Sequence, residues 1–213
     1  MIRSGEAPGV GWSRSMLYSG FDILLRSIVR RQTGFAARIS TTLSTSVMKI
    51  TESTPDEERL SLIHAVANDA AKLLGLDCDA DTPQSIVSKV NDAIVDLVFG
   101  RTTPVSDDEN PDLLLGALWG SQMARQFKWY WANVTVDDTF DEVAMISPNQ
   151  EMIIFPLSFT SAILQKQCIC TVLLAFNMLL EDDRTGTIPQ GTYENIMLNI
   201  HHIVPPYMLE NGG

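Results

Sequence analysis

Three apolar-striped segments of this chain open on the same pair, a side chain able to cap a helix followed directly by proline: Thr54-Pro55, Thr82-Pro83 and Asn110-Pro111. The first turn of a helix has no partner for a backbone N–H, so a residue that lacks one fits there, and each pair predicts a helix start. Glu57, three residues after Thr54, completes a capping box. Asp112 places a negative charge at the positive end of the third helix. Gly75 and Gly100 stand where the first two helices should stop, because a closing residue in the left-handed conformation is least costly without a Cβ. Between these marks Leu60, Ile63, Ala67, Ala70 and Leu74, then Ile86, Val90, Ala93, Ile94 and Leu97, make two apolar stripes of helical spacing. The short join "GLDCDAD" predicts that the first two helices pack antiparallel, as a pair over 54–100. The polar segment from Arg101 to Pro111 is the hinge between this pair and the third helix.

After the third helix the period changes. Leu115, Leu118 or Trp119, Met123 and Phe127 carry its stripe, but "WYWANVTV" alternates at period two and predicts a strand. "DDTFD" reads as a turn, and "EVAMIS" and "EMIIFP" as two strands joined at Pro148-Asn149, with Pro156 ending the ladder because it cannot donate to it. An apolar run from about Phe159 to Leu180 predicts one long helix lying against the sheet, and "EDDRTG" ends it in water. Thr192 caps a final short helix through His202, stopped by "VPPY". The fold class is therefore α+β: several helices packed around a small antiparallel sheet of about three strands, in one domain over 48–213 with a helix–hairpin–helix core at 110–186.

Residues 1–47 differ in kind. Arg3, Arg14, Arg26, Arg30, Arg31 and Arg38 against Glu6 and Asp22 leave them at +4, so residues 48–213 carry −15 of a net −11. Leu17, Phe21, Leu24 and Ile28 fall on one helical face flanked by arginines, the pattern of a basic amphipathic helix, a transit peptide or a segment lying on an anionic membrane surface over residues 16–31. The first expectation for residues 1–47 is nevertheless a spurious or disordered extension before a start at Met48, where the chain turns acidic, and the second an ordered accessory helix, ahead of targeting or membrane contact. The acidic body repels phosphate backbones, which excludes nucleic acid as its partner. Nowhere does an apolar run reach the roughly 18 to 20 residues of a membrane span. Cys78, Cys168 and Cys170 are an odd number without framework spacing, which favours a reducing, cytoplasmic setting over a disulfide-built one.

Little in the chain points to catalysis. Cys168 and Cys170 alternate on one segment and His201 and His202 are adjacent, so neither pair has the spacing of a metal-binding C-x₂-C or H-x₃-H, and no metal or other cofactor is expected. His64 lies at the edge of an apolar stripe, where a hydrogen-bonded boundary residue is commoner than a general base. No phosphate-cradling, nucleophile-elbow, dinucleotide or zinc-protease motif occurs. Three of the four tryptophans fall between Trp119 and Trp131; Trp119 belongs to the core, and Trp129 with Trp131 shares one face of a strand, most simply covering a helix. The alternative makes Trp129 and Trp131 a ligand or partner surface with Asp137, Asp138, Asp141 and Glu142, of which Trp129, Trp131, Asp141 and Glu142 would line a pocket between hairpin and long helix.

The "LGALWG" helix, the Trp-containing strand, the "EVAMISPNQEMIIFP" hairpin and the helix after it, over Leu113 to Leu180, together resemble small bacterial α+β domains, some of them similar to immunity proteins of bacterial toxin systems. That resemblance implies a stand-alone cytosolic interaction or adaptor protein and carries no site residues. The acidic balance points the same way, toward a basic protein partner met quickly through opposite charge. A small ligand or small enzyme site at the Trp129 and Trp131 face, and membrane contact through residues 16–31, are the competing expectations.

Overall fold

The computed structural model describes residues 49–105, 110–138, 140–181 and 187–201. The basic extension 1–47, the acid-rich stretch 106–109, the acidic turn at 182–186, His202 and the proline stop at 204–206 lie outside the described residues. The described residues form five strands and six helices: β1 (Ile50–Ser53), α1 (Glu57–Leu73), α2 (Pro83–Val98), α3 (Pro111–Phe127), β2 (Tyr130–Val136), β3 (Phe140–Ile146), β4 (Met152–Ile154), α4 (Pro156–Leu164), α5 (Val172–Glu181), β5 (Glu194–Asn195) and α6 (Ile196–His201). The class is α+β, as expected.

The helix starts follow the proline marks with one adjustment. Thr82 caps α2, its hydroxyl accepting the Ser85 amide at 3.2 Å, with Pro83 in the first turn. In α1 the cap is Asp56, whose carboxylate accepts the Arg59 amide at 2.7 Å, so the helix begins two residues later than the predicted Thr54 capping box. The reason is β1, which runs to Ser53, while Asp is as good a cap as Thr. Asn110 precedes Pro111 at the head of α3 but in the left-handed conformation, without a side-chain cap. Gly75 and Gly100 close α1 and α2 at φ of +67° and +65°, as their placement predicts.

Helix α3 is the hub of the described fold. Every residue from Leu113 to Gly120 is buried, because α1, α2 and α4 all pack on it and the sheet lies beyond. The first two helices therefore pack chiefly on α3 rather than on each other, which corrects the expected antiparallel pair. Two glycines make this close packing possible. A Cβ on Gly116 would stand 2.9 Å from the Leu157 Cα and the Pro156 carbonyl, so the α4 backbone crosses α3 at that residue. A Cβ on Gly120 would stand 2.3 Å from two carbons of the Trp131 indole.

The sheet has five strands in the order β1-β2-β3-β4-β5, rather than about three, and is antiparallel except for the parallel pairing of β4 with β5. The predicted hairpins hold: Tyr130 to Val136 pairs in register with Ile146 to Phe140, and Ser147 bridges to Met152 around Pro148-Asn149. The additions are both edges. β1 lies on β2 with Ile50 opposite Val136 and Ser53 opposite Asn133, and two-residue β5 lies on β4 with Met152 opposite Glu194. At the C-terminal end Asn195, rather than Thr192, caps the final helix, its side chain accepting the Met197 amide at 3.1 Å.

The predicted long helix is two. α4 starts at Pro156 and ends at Gln165, where Lys166 turns into the left-handed region at φ +59°. Helix α5 begins six residues later, and its first turn borrows a cap from α2: the Asn91 side-chain oxygen accepts the Leu173 amide at 3.5 Å and the Cys170 thiol at 3.3 Å. No described helix is long and apolar enough to cross a membrane.

Candidate functional site

Strand geometry sorts the sheet's side chains onto two faces, since alternate residues point opposite ways. Trp131, Asn133, Val143, Met145 and Ile154 share the face on which the helices pack. Trp131 meets Gly120 of α3, and Asn133 accepts the Arg59 guanidinium of α1 at 2.9 Å. The other face carries Ala132, Val134, Val136, Ala144, Ile146 and Ile153, a buried cluster against which Ile50, Phe155 and Tyr193 pack.

The six residues singled out from the sequence fall in three places and do not converge. Trp129 and Trp131 are 5% and 6% exposed, with Trp131 and Pro156 both closing on Gly120, so this part of the hairpin–α4 contact is filled by indole. Asp137 and Asp138 sit in the β2–β3 turn in the left-handed conformation that aspartate tolerates, and both hold Lys49. The Asp137 side chain accepts the Lys49 amide at 2.9 Å, and Asp138 pairs with its ammonium at 2.8 Å, fastening the start of β1 to the turn. Asp141 accepts the Thr135 hydroxyl across the hairpin and is exposed. Glu142 lies on the opposite face, 6% exposed, beside its register partner Val134.

The polar groups that do converge come from four separate segments. Glu52, on β1, shares the face of Val134 and Glu142. Its carboxylate accepts the Tyr130 hydroxyl, 3.2 Å from each oxygen, and the Gln150 amide at 2.6 Å, and its charge lies near enough to the Tyr193 phenol to perturb it. In a flat sheet β1 and β5 would lie roughly 19 Å apart, four strand spacings. Tyr193 immediately precedes β5, so its nearness to Glu52 requires the sheet to curl, and the curl closes at this quartet. Two members are held in strained backbone: Gln150 at φ +57° and Tyr193 at φ +49°, the latter unusual for a bulky side chain. The Tyr193 amide donates to the Gln150 carbonyl at 3.1 Å, which fixes one to the other.

The electrostatics of the quartet are one-sided. Burial and then the Glu52 charge push the phenols of Tyr130 and Tyr193 above their usual range, while the Gln150 amide pulls Tyr130 the other way. Tyr130 remains 37% exposed, so the carboxylate stands at the surface. Glu52 is held by two neutral donors and forms no ion pair among the described residues, unlike Asp69, Asp96 and Asp138, which pair with Lys72, Arg101 and Lys49.

Elsewhere the reactive side chains are tied down. Burial pushes the Cys168 thiol up to about 12 and the Cys170 thiol to about 11. In the α1–α2 loop Asp77 accepts the amides of Asp79 and Ala80, and Asp81 accepts that of Asp77, so two of the three carboxylates of "DCDAD" serve the loop's own backbone. Among the described residues no group of three or more His, Cys, Asp or Glu side chains is placed to hold a metal ion. His64 is exposed on α1, away from the quartet. Comparison of the chain with protein-family models, with curated proteins and with solved structures finds no match.

Proposed function

We propose that the protein acts by binding, as a cytosolic interaction protein of a bacterium that engages a basic protein partner, in the manner of an immunity or adaptor protein. The supporting observation is where the acid excess lies. Asp56, Glu57, Glu58, Asp77, Asp79, Asp92, Asp137, Asp138 and Asp141 are all exposed around α1, the α1–α2 loop, α2 and the β2–β3 turn. Opposite charge spread over a surface raises the encounter rate with a basic partner and suppresses acidic ones, more than it raises final affinity. The free cysteines suit a reducing compartment. The test is capture on the tagged full-length chain from an extract of its own cells, at low and high salt, with mass spectrometry of what is retained. One dominant basic protein, held at low salt and released at high salt, is the expected result. Empty captures at both salts, or retention indifferent to salt, refute the reading.

A further inference from the structure

A lone carboxylate drawn partly out of water loses hydration that a nearby cation restores, which is why such groups are usually paired. Among the described residues Glu52 departs from that pattern. Two neutral donors, Tyr130 and Gln150, fix its position, but they bring no positive charge, and a carboxylate has about four lone-pair sites, not all of which they use. Beside it stand the phenols of Tyr130 and Tyr193, neutral groups that shelter the carboxylate without supplying the missing charge. The group is partly exposed, on a strained backbone, at the place where the sheet closes on itself. We infer that Glu52, Tyr130, Gln150 and Tyr193 form a receptor for one cationic side chain, a lysine ammonium or arginine guanidinium, presented by the basic partner. The inference rests on the binding function proposed above and adds the residue on which specificity turns. Across the rest of the acidic surface charge steers encounter, whereas here a carboxylate positioned by Tyr130 and Gln150 takes a cation at one point. In the free protein Gln150 and Tyr130 hold the carboxylate; in the complex the incoming cation takes the remaining lone pairs without displacing them.

The test uses the isotope-labelled full-length chain, titrated at low salt with a hexalysine peptide and followed by amide chemical shifts. The expected result is a set of shifts centred on Ile50 to Ser53, Tyr130, Gln150 and Tyr193. Glu52→Gln keeps the size and most hydrogen bonds of the side chain and removes its charge, and should weaken the peptide by about tenfold, the scale of a charge-assisted hydrogen bond. Gln150→Lys supplies a cation from within and should weaken it similarly, and it carries the test if Glu52→Gln disturbs the fold. Hexalysine bound equally by both variants, or shifts centred on Asp77 to Asp81, would overturn the receptor while leaving the basic-partner reading intact. Failure of the wild-type chain to bind hexalysine at any site would overturn both.

Discussion

The closest contact in the helix–sheet interface makes the sharpest test of the packing. In Gly120→Ala the new methyl would lie 2.3 Å from Cζ2 and Cη2 of Trp131 and 3.3 Å from Cγ of Pro156, where ordinary contact begins at 3.4 Å. The indole must therefore retreat by about 1 Å or the helix must move by as much. Neither has room: Trp131 is 6% exposed on a strand paired on both sides, and α3 is enclosed by three helices. Overpacking of this kind costs about 1–3 kcal/mol, and the size of the overlap puts Gly120→Ala toward the top of that range. Alanine's better helix propensity returns up to about 1 kcal/mol, leaving a net loss of about 1–2 kcal/mol. Equilibrium urea unfolding, followed by far-ultraviolet circular dichroism, should show a lower midpoint at unchanged slope. Trp131→Leu alone loses buried area, but in the Gly120→Ala/Trp131→Leu double variant the methyl has space. The pair should then be less destabilised than the sum of the singles by about 1 kcal/mol or more. A Gly120→Ala protein as stable as the wild type, or additive losses in the cycle, would refute the assigned clash.

The remaining expectations probe other parts of the same structure. Tyr130 and Tyr193 have raised pKa values in the folded state, so the stability they contribute is complete below the ordinary phenol range near pH 10 and is lost as pH rises through the folded-state values. Unfolding midpoints should fall above about pH 10, and the Tyr130→Phe/Tyr193→Phe variant should remove much of that fall. Native protein treated with a thiol reagent at pH 8 should modify Cys78 first, since burial holds Cys168 and Cys170 at about 12 and 11 as neutral thiols; mass spectrometry of early time points checks the order. Thr82→Ala removes the α2 cap and should cost about 1 kcal/mol in the same urea assay, whereas Thr54→Ala, which leaves the Asp56 cap intact, should cost little.

Much of the fold is legible where local chemistry decides it. Proline after a capping residue marks α2 and α3, Gly75 and Gly100 mark the ends of α1 and α2, and Pro148-Asn149 marks a hairpin, because each acts on its own neighbours. The failures are of two kinds. β1, β5 and the quartet are fixed by partners far along the chain: "ITES" offers one aliphatic residue, and Glu52 meets Tyr130 and Gln150 across 78 and 98 residues. No pattern confined to one segment encodes such a meeting. The break between α4 and α5 does have a local signal, the polar Gln165-Lys166-Gln167 run, but without a glycine the left-handed close at Lys166 is hidden. Trp119, Trp129 and Trp131 are buried, and their clustering reflects a helix and a strand meeting at Gly120. Asp137 and Asp138 fasten β1 to a turn, a role invisible until β1 itself is seen.

That α3 touches nearly every other layer has a consequence for how the chain divides. A cut in the exposed loop around Asp79 would leave an N-terminal piece bearing β1 and α1, whose partners β2 and α3 both lie in the other piece. Neither β1 nor α1 has its principal neighbour at hand, so these two elements should not hold together in the shorter piece. The longer piece would keep α3 with α2, α4 and four strands, but with one flank of its central helix and one edge of its sheet bare. Two such pieces are complementary by construction. The same arrangement that makes the intact chain hard to subdivide supplies a split pair whose reassembly restores both the bare helix flank and the missing edge strand, and with that strand Glu52.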